Sequence, residues 1–218
     1  MKKTAKRAVV LVSGGDSEIL VAELLTGGWT VLPLYVRCGF RWEKTEILRV
    51  RRALAALRAP RLEALLVARA PMGPLMGGHW SMTGRGVPDA AAAWDSVYLP
   101  GRNMLLLIEA WMHAVSRGAS AVAIGTLKHN PFPDATPRFR AAAEKALNLA
   151  LASKIKVLAP YAGLTKRQVI ARAGRFPMRL AFSCLRPRGL RPCGNCSKCA
   201  ELAAALRPPV RRSSPRAR

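Results

Sequence analysis

At 218 residues, half of them hydrophobic, the chain has the length and apolar content for one domain with a substantial core. Its formal charge of +24 suits polyanions or phosphate-bearing small molecules, through weak RNA contact or substrate attraction, and no run approaches the roughly 18 consecutive apolar residues of a membrane span. The N-terminus lacks the long apolar region of a secretory signal, so a soluble, cytoplasmic protein is expected.

Residues 1–7 read as a basic extension carrying four of the cations. Apolar runs bounded by turn residues then alternate with longer amphipathic stretches, which predicts a doubly wound α/β protein with a parallel sheet. Strands are expected at about 8–12, 30–36, 62–68, 120–125 and 155–159, and helices at about 17–26, 43–58, 102–117, 138–152, 165–174 and 197–206. The helix over 43–58 places Glu43 and Glu46 in its first turn, where the dipole favours carboxylates. Residues 70–101, rich in Gly, Pro, Met and Trp, break the rhythm and read as a lid or binding loop. Residues 207–218 hold five cations and little to bury, and are expected to be disordered. The division is thus 8–180 for the α/β body, 181–206 for a cysteine-bearing segment, and two basic ends.

Between the first strand and helix lies Ser13-Gly14-Gly15-Asp16-Ser17. A glycine turn at the carboxyl end of a parallel strand lets backbone amides and a helix N-terminus meet a phosphate. Ser13 and Ser17 can add hydroxyl donors, and Asp16 can hold a magnesium ion bridging phosphate oxygens. The loop has neither the Lys-Ser/Thr ending of a Walker loop nor a dinucleotide fold's third glycine. An ordinary β-turn is the plain alternative. The pattern resembles the Ser-Gly-Gly-x-Asp-Ser loop of ATP pyrophosphatases, shortened by one residue.

Near the C-terminus, Cys184, Cys193, Cys196 and Cys199 have the spacing of a closed four-thiolate metal site, with Gly194 easing the turn. One structural zinc ion is expected here, with an iron–sulfur cluster as the competing occupant. Cys38 reads as a buried core thiol and His113 as a packing residue. His79 and His129 fall in predicted loops without ligand-like spacing.

Taken in order, the glycine loop, Gly39-x-Arg41, Pro100-Gly101-Arg102-Asn103, Pro133-Asp134, Ala146-Leu147-Asn148-Leu149, Ala159-Pro160, Leu164-Thr165-Lys166 and the cysteine run resemble the 7-cyano-7-deazaguanine synthase family over residues 8 to about 205. The resemblance implies a Rossmann-like fold of the adenine nucleotide alpha hydrolase type, a bound zinc and a homodimer. It further implies that 7-carboxy-7-deazaguanine, ATP and ammonia become a nitrile that feeds queuosine biosynthesis. By position, Ser13 to Ser17 would cradle the pyrophosphate, and Arg41, Arg102, Asn103 and Asp134 would line the substrate cleft with Asp16. The chain departs from the family at Arg37-Cys38-Gly39-Phe40-Arg41-Trp42, where Trp42 replaces a histidine, and at Pro133-Asp134-Ala135-Thr136. An adenylating enzyme acting on another acid or a tRNA base, and a non-catalytic zinc protein binding nucleotide or RNA, are the alternatives at this stage.

Overall fold

Five short apolar segments pair side by side, all parallel: β1 (Arg7–Leu11), β2 (Thr30–Arg37), β3 (Leu66–Arg69), β4 (Ala121–Ala123) and β5 (Lys156–Leu158). The spatial order is β3-β2-β1-β4-β5. The computed structural model describes residues 6–207, so the expected basic extension and C-terminal tail fall almost wholly outside the described residues.

Strand alternation sorts side chains onto two cores. Val9 and Leu11 of β1 join Leu32 and Leu34 of β2 on one face, while Ala8 and Val10 join Val31 and Tyr35 on the other. Helices α1 (Gly15–Thr26), α2 (Glu43–Leu57) and α7 (Lys166–Ala171) cover the second face through Ile19, Leu20, Val50, Leu54 and Val169. Helices α5 (Arg102–Ser116) and α6 (Pro137–Ala150) cover the first through Leu107, Trp111 and Leu147. Both faces of the sheet are therefore dry, which explains why the strands read as unbroken apolar runs. Each buried Val, Leu or Ile contributes roughly 1.5–3 kcal/mol of transfer free energy.

The expected elements form close to their predicted bounds, with two differences. The third strand starts four residues late, because Leu62 makes only an isolated bridge to Val31 before regular pairing begins at Leu66. Residues 70–101 hold more structure than a plain loop: α3 (Gly73–Met76), α4 (Trp80–Thr83) and a 3-10 turn at Trp94–Val97. Met72, Val97 and Leu99 are buried, so apolar contacts with the body hold this segment down. Its Gly and Pro residues mark tight corners between these turns.

Asn148 explains why α6 and β5 meet where they do. Its Oδ1 accepts from Trp111 Nε1, Ser153 Oγ and Ile155 N, at 3.2, 2.7 and 2.9 Å, and its Nδ2 donates to the Ile155 carbonyl at 2.8 Å. Asn148→Ala would strand several of these groups, and the expected loss is about 2–3 kcal/mol of unfolding free energy in urea titrations. A change below about 0.5 kcal/mol would show that water replaces the bonds.

Candidate active site

In this strand order the chain leaves β1 toward one edge of the sheet and returns at β4 toward the other. Open parallel sheets bind ligands at such a divergence. A cavity of about 220 Å³ lies here, lined by the β1–α1 turn, by Gly125 and Thr126 after β4, and by residues of α2, α5 and the C-terminal segment.

The turn is pressed against the C-terminal segment. A Cβ on Gly14 would stand 2.9 Å from the Phe182 carbonyl oxygen, and one on Gly15 would stand 3.2 Å from Ala181 Cβ. Glycine is required by close approach. The loop also satisfies most of its own donors. Ser17 Oγ accepts from Ser13 N at 3.0 Å and Gly14 N at 3.3 Å while donating to the Gly14 carbonyl at 2.7 Å. Gly15 N donates to the Phe182 carbonyl at 3.2 Å. The expected phosphate grip by Gly14 and Gly15 amides thus meets amides engaged within the fold, and the Ser17 hydroxyl serves the turn itself. Among the described residues, Asp16 N is the one amide from Ser13 to Ser17 without a protein partner.

Asp16 lines the cavity, and its Oδ2 is 2.8 Å from Lys166 Nζ. Lys166 also reaches Glu201 Oε1 at 3.3 Å, and Glu201 Oε2 holds Lys198 at 3.0 Å. The chain of charges runs from the loop through α7 to α8 (Ser197–Leu206). Neighbouring Lys166 and Lys198 hold the Glu201 carboxyl below its ordinary value, against the effect of burial. Asp16 Oδ1 accepts no bond among the described residues, so one carboxylate oxygen is left without a protein partner.

Arg102 and Asn103 open α5 and line the cavity together with Asp134. Asp134 Oδ2 accepts from Asn103 N at 3.0 Å, and its Oδ1 from Asn103 Nδ2 at 3.3 Å. The carboxylate caps the helix, and burial raises its pKa despite these bonds and the nearby Arg102. Arg102 Nε is buried without a partner, and the guanidinium lies 5.8 Å from the centre of the Phe40 ring. A buried, unsatisfied guanidinium nitrogen in a cavity wall suits an incoming carboxylate or phosphate. Arg41 is exposed and absent from the cavity lining; its side chain runs beside Gly84. The structure therefore separates Arg41 from the other predicted cleft residues.

Trp80 and Glu18 were not singled out in the sequence, and Glu43 and Glu46 only as first-turn carboxylates. Trp42 stacks between Phe40 and Trp80, at 4.8 and 5.7 Å between ring centres, and forms an apolar wall. Glu43 and Glu46 are buried: Glu43 accepts from Cys38 N and Gly39 N, and Glu46 from the Tyr35 hydroxyl at 2.7 Å. Burial lifts Glu46 to about 7. Behind it, Glu18 is fully buried with neither carboxyl oxygen hydrogen-bonded, and burial plus the Glu46 charge raise it to about 8. In sequence, Glu18 and Glu46 were indistinguishable from solvated helix residues. A second cavity, of about 150 Å³, adjoins the first and includes His129, Thr165 and Trp94. His79 caps α4 through Nδ1, His113 faces Glu109 on its own helix, and Cys38 is buried apart from the other cysteines.

The four C-terminal sulfurs lie within 4.8 Å of one another. Leu185 N donates to Cys196 Sγ at 3.4 Å and Cys193 N to Cys184 Sγ at 3.2 Å, bonds that favour thiolates. A hydrogen bond with the Cys184 thiol and the Leu185 and Cys199 amides pull Cys196 well below the usual thiol range, whereas burial pushes Cys199 up. Gly194, at φ 83°, makes the left-handed corner that turns Cys193 and Cys196 onto one point. Four clustered sulfurs, two of them accepting from backbone amides, fit a tetrahedral metal ion.

Fold and site together define a Rossmann-like α/β protein with a cavity at the sheet's switch point and, beside it, a four-cysteine cluster that could hold a metal ion. The family model described as queuosine biosynthesis protein QueC matches residues 7–208, and the chain belongs to that family. A 7-cyano-7-deazaguanine synthase of Anaeromyxobacter sp. (strain Fw109-5) is 32% identical over 91% of this chain and 90% of its own. The enzyme of the same name from Acetivibrio thermocellus is 30% identical over 89% and 90%. The 7-cyano-7-deazaguanine synthase 1 of Desulfitobacterium hafniense is 29% identical over 92% and 91%.

Two outcomes check this geometry. Cys196→Ser is expected to abolish stoichiometric metal in purified protein and to open residues 181–206 to protease; retained metal with unchanged proteolysis would remove the cluster as a metal site. For Glu18, the folded state keeps its proton up to about 8 while the unfolded chain loses it near 4.5, so the group lowers stability as pH rises between these values. Glu18→Gln should flatten part of that decline and stabilise the protein by roughly 3 kcal/mol at pH 9 in urea titrations. Parallel curves for the two proteins would contradict the unpaired buried carboxyl.

Proposed function

We propose that the chain is an ATP-dependent carbon–nitrogen ligase that turns 7-carboxy-7-deazaguanine and ammonia into 7-cyano-7-deazaguanine, releasing AMP and pyrophosphate. The observation that carries this reading is the convergence of the Asp16 loop, Lys166 and the unsatisfied Arg102 on one cavity at the switch point. A carboxylate is a poor electrophile, so its oxygen first attacks the α-phosphorus of ATP and pyrophosphate leaves. Ammonia then displaces AMP to give the amide. A second ATP activates the amide oxygen, and loss of that oxygen with AMP leaves the nitrile.

Charge develops on phosphate oxygens in both activations, and fixed cations in a water-poor cavity stabilise it. Lys166, Lys198 and Arg102 line the cavity, with Asn103 and Asp134 fixing the start of the helix that carries Arg102. Ser13 to Ser17 form the pyrophosphate end. Asp16 would hold the magnesium ion, whose role is to neutralise phosphate charge. Trp42 and Trp80 give the planar bicyclic acid an apolar wall and exclude water. The four cysteines would hold zinc, which closes its own coordination and pins α8, the source of Lys198 and Glu201, against the loop. The spread positive charge suits weak RNA contact, and a homodimer accords with the family resemblance.

In pyrophosphate-release assays, the wild-type protein should require both ATP and 7-carboxy-7-deazaguanine, and form the nitrile only with ammonia present. Asp16→Ala and Arg102→Ala are each expected to lower kcat/KM by about 100-fold or more. Folded, metal-loaded protein that releases no pyrophosphate with this acid would end the reading, and release that depends on RNA would redirect it to a tRNA base. Metal analysis should find one zinc per chain; equivalent iron with visible absorption would replace zinc by a cluster.

A further inference from the structure

Ammonia carries three N–H bonds and a nitrile none, so a proton must leave the nitrogen at three points of the proposed sequence. Amide formation releases one, activation of the amide oxygen a second, and expulsion of AMP the last. Each loss needs an acceptor beside the reacting nitrogen. Among the described residues, no histidine lines the larger cavity, and its carboxylates are Asp16, Asp134 and Glu46. Asp16 is ion-paired with Lys166, and both Asp134 oxygens accept from Asn103. Of the three, Glu46 alone is neither ion-paired with a lysine nor hydrogen-bonded on both oxygens; its Oε2 accepts from the Tyr35 hydroxyl at 2.7 Å. Its Oε1 lies 4.0 Å from the point where a Cβ on Gly14 would stand, next to the phosphate loop.

We propose that Glu46 is the proton acceptor for the reacting nitrogen. As the N–C bond forms at the adenylated carboxyl carbon, the C–O bond to AMP breaks and its electron pair leaves on the phosphate oxygen, while the nitrogen passes a proton to Glu46. Glu46 returns that proton to water. It takes a second proton as the amide oxygen bonds to the α-phosphorus of the next ATP and pyrophosphate departs, and again releases it to water. It takes the third as the N–H pair becomes the last C–N bond and AMP leaves, and passes it on in the same way. The assignment rests on the ligase reading above.

The surroundings tune Glu46 for this work. Burial raises its proton affinity and Glu43 of the same helix adds to it, whereas the Tyr35 hydroxyl from β2, Arg102 from α5 and the Trp42 indole lower it; the balance is about 7. Glu18 faces it from α1. A base near neutrality can both accept and release protons in each turnover.

The experiment compares two rates in each protein: exchange of labelled pyrophosphate into ATP with the acid alone, which breaks no N–H bond, and nitrile formation with ammonia. In Glu46→Gln the ratio of nitrile formation to exchange should fall about 100-fold and the acid limb of its pH profile near 7 should vanish; Glu46→Asp should recover part of it. Tyr35→Phe removes a bond that lowers the proton affinity of Glu46, so the acid limb should move to higher pH. An unchanged ratio with the limb still in place, or equal loss of exchange and nitrile formation, would overturn the assignment. Wild-type protein without acid-dependent exchange would overturn the ligase reading itself, and this inference with it.

Discussion

The turn between β1 and α1 runs so close beneath Ala181 and Phe182 that no side chain fits at Gly14 without displacing the Phe182 backbone. Much of the site follows from this contact. The segment that crosses the turn continues into Cys184, so the cysteine knuckle is anchored beside the cavity. The same crossing supplies the carbonyl that accepts from Gly15 N. A loop held this tightly keeps its shape through internal bonds to Ser17, and an arriving phosphate would compete with a hydroxyl already in place.

Charge is distributed around this contact in two groups. On the α7–α8 side, Asp16, Lys166, Glu201 and Lys198 alternate in sign, so each buried charge has an opposite neighbour. Breaking such a chain leaves an uncompensated charge, which costs more than the pairs contribute while intact. On the α2 side, Glu18 and Glu46 lie close to one another, with Arg102 and Arg49 as the cations that offset them. Burial there favours the protonated acids. One side of the cavity thus carries paired lysines and the other buried acids of raised proton affinity, with Arg102 acting on the second.

The departure at Trp42 acquires a physical meaning in this setting. An indole at this position stacks with Phe40 and Trp80 and closes the cavity wall with apolar surface, where imidazole would offer a titratable nitrogen. Among the described residues, the carboxylates that line this cavity are Asp16, Glu46 and Asp134. Arg41, one residue before Trp42, is exposed and lies outside the cavity lining, whereas Arg102 is part of it.

The sequence by itself determined the alternation of strands and helices, the doubly wound class and the cysteine cluster, because each depends on short-range spacing: continuous apolar runs for strands buried on both faces, apolar faces on helices, and two-residue gaps for thiolates. The order Ser13-Gly14-Gly15-Asp16-Ser17 likewise marked the loop at the end of β1. Tertiary structure alone decided what those residues touch. Lys166 meets Asp16 across 150 positions, and Asp134 meets Asn103 across 31. Glu18 and Glu46 owe their proton affinity to burial between elements that are distant in the chain. Desolvation and pairing depend on what packs against a group, and that is set by the crossing of elements in space, which local spacing does not encode.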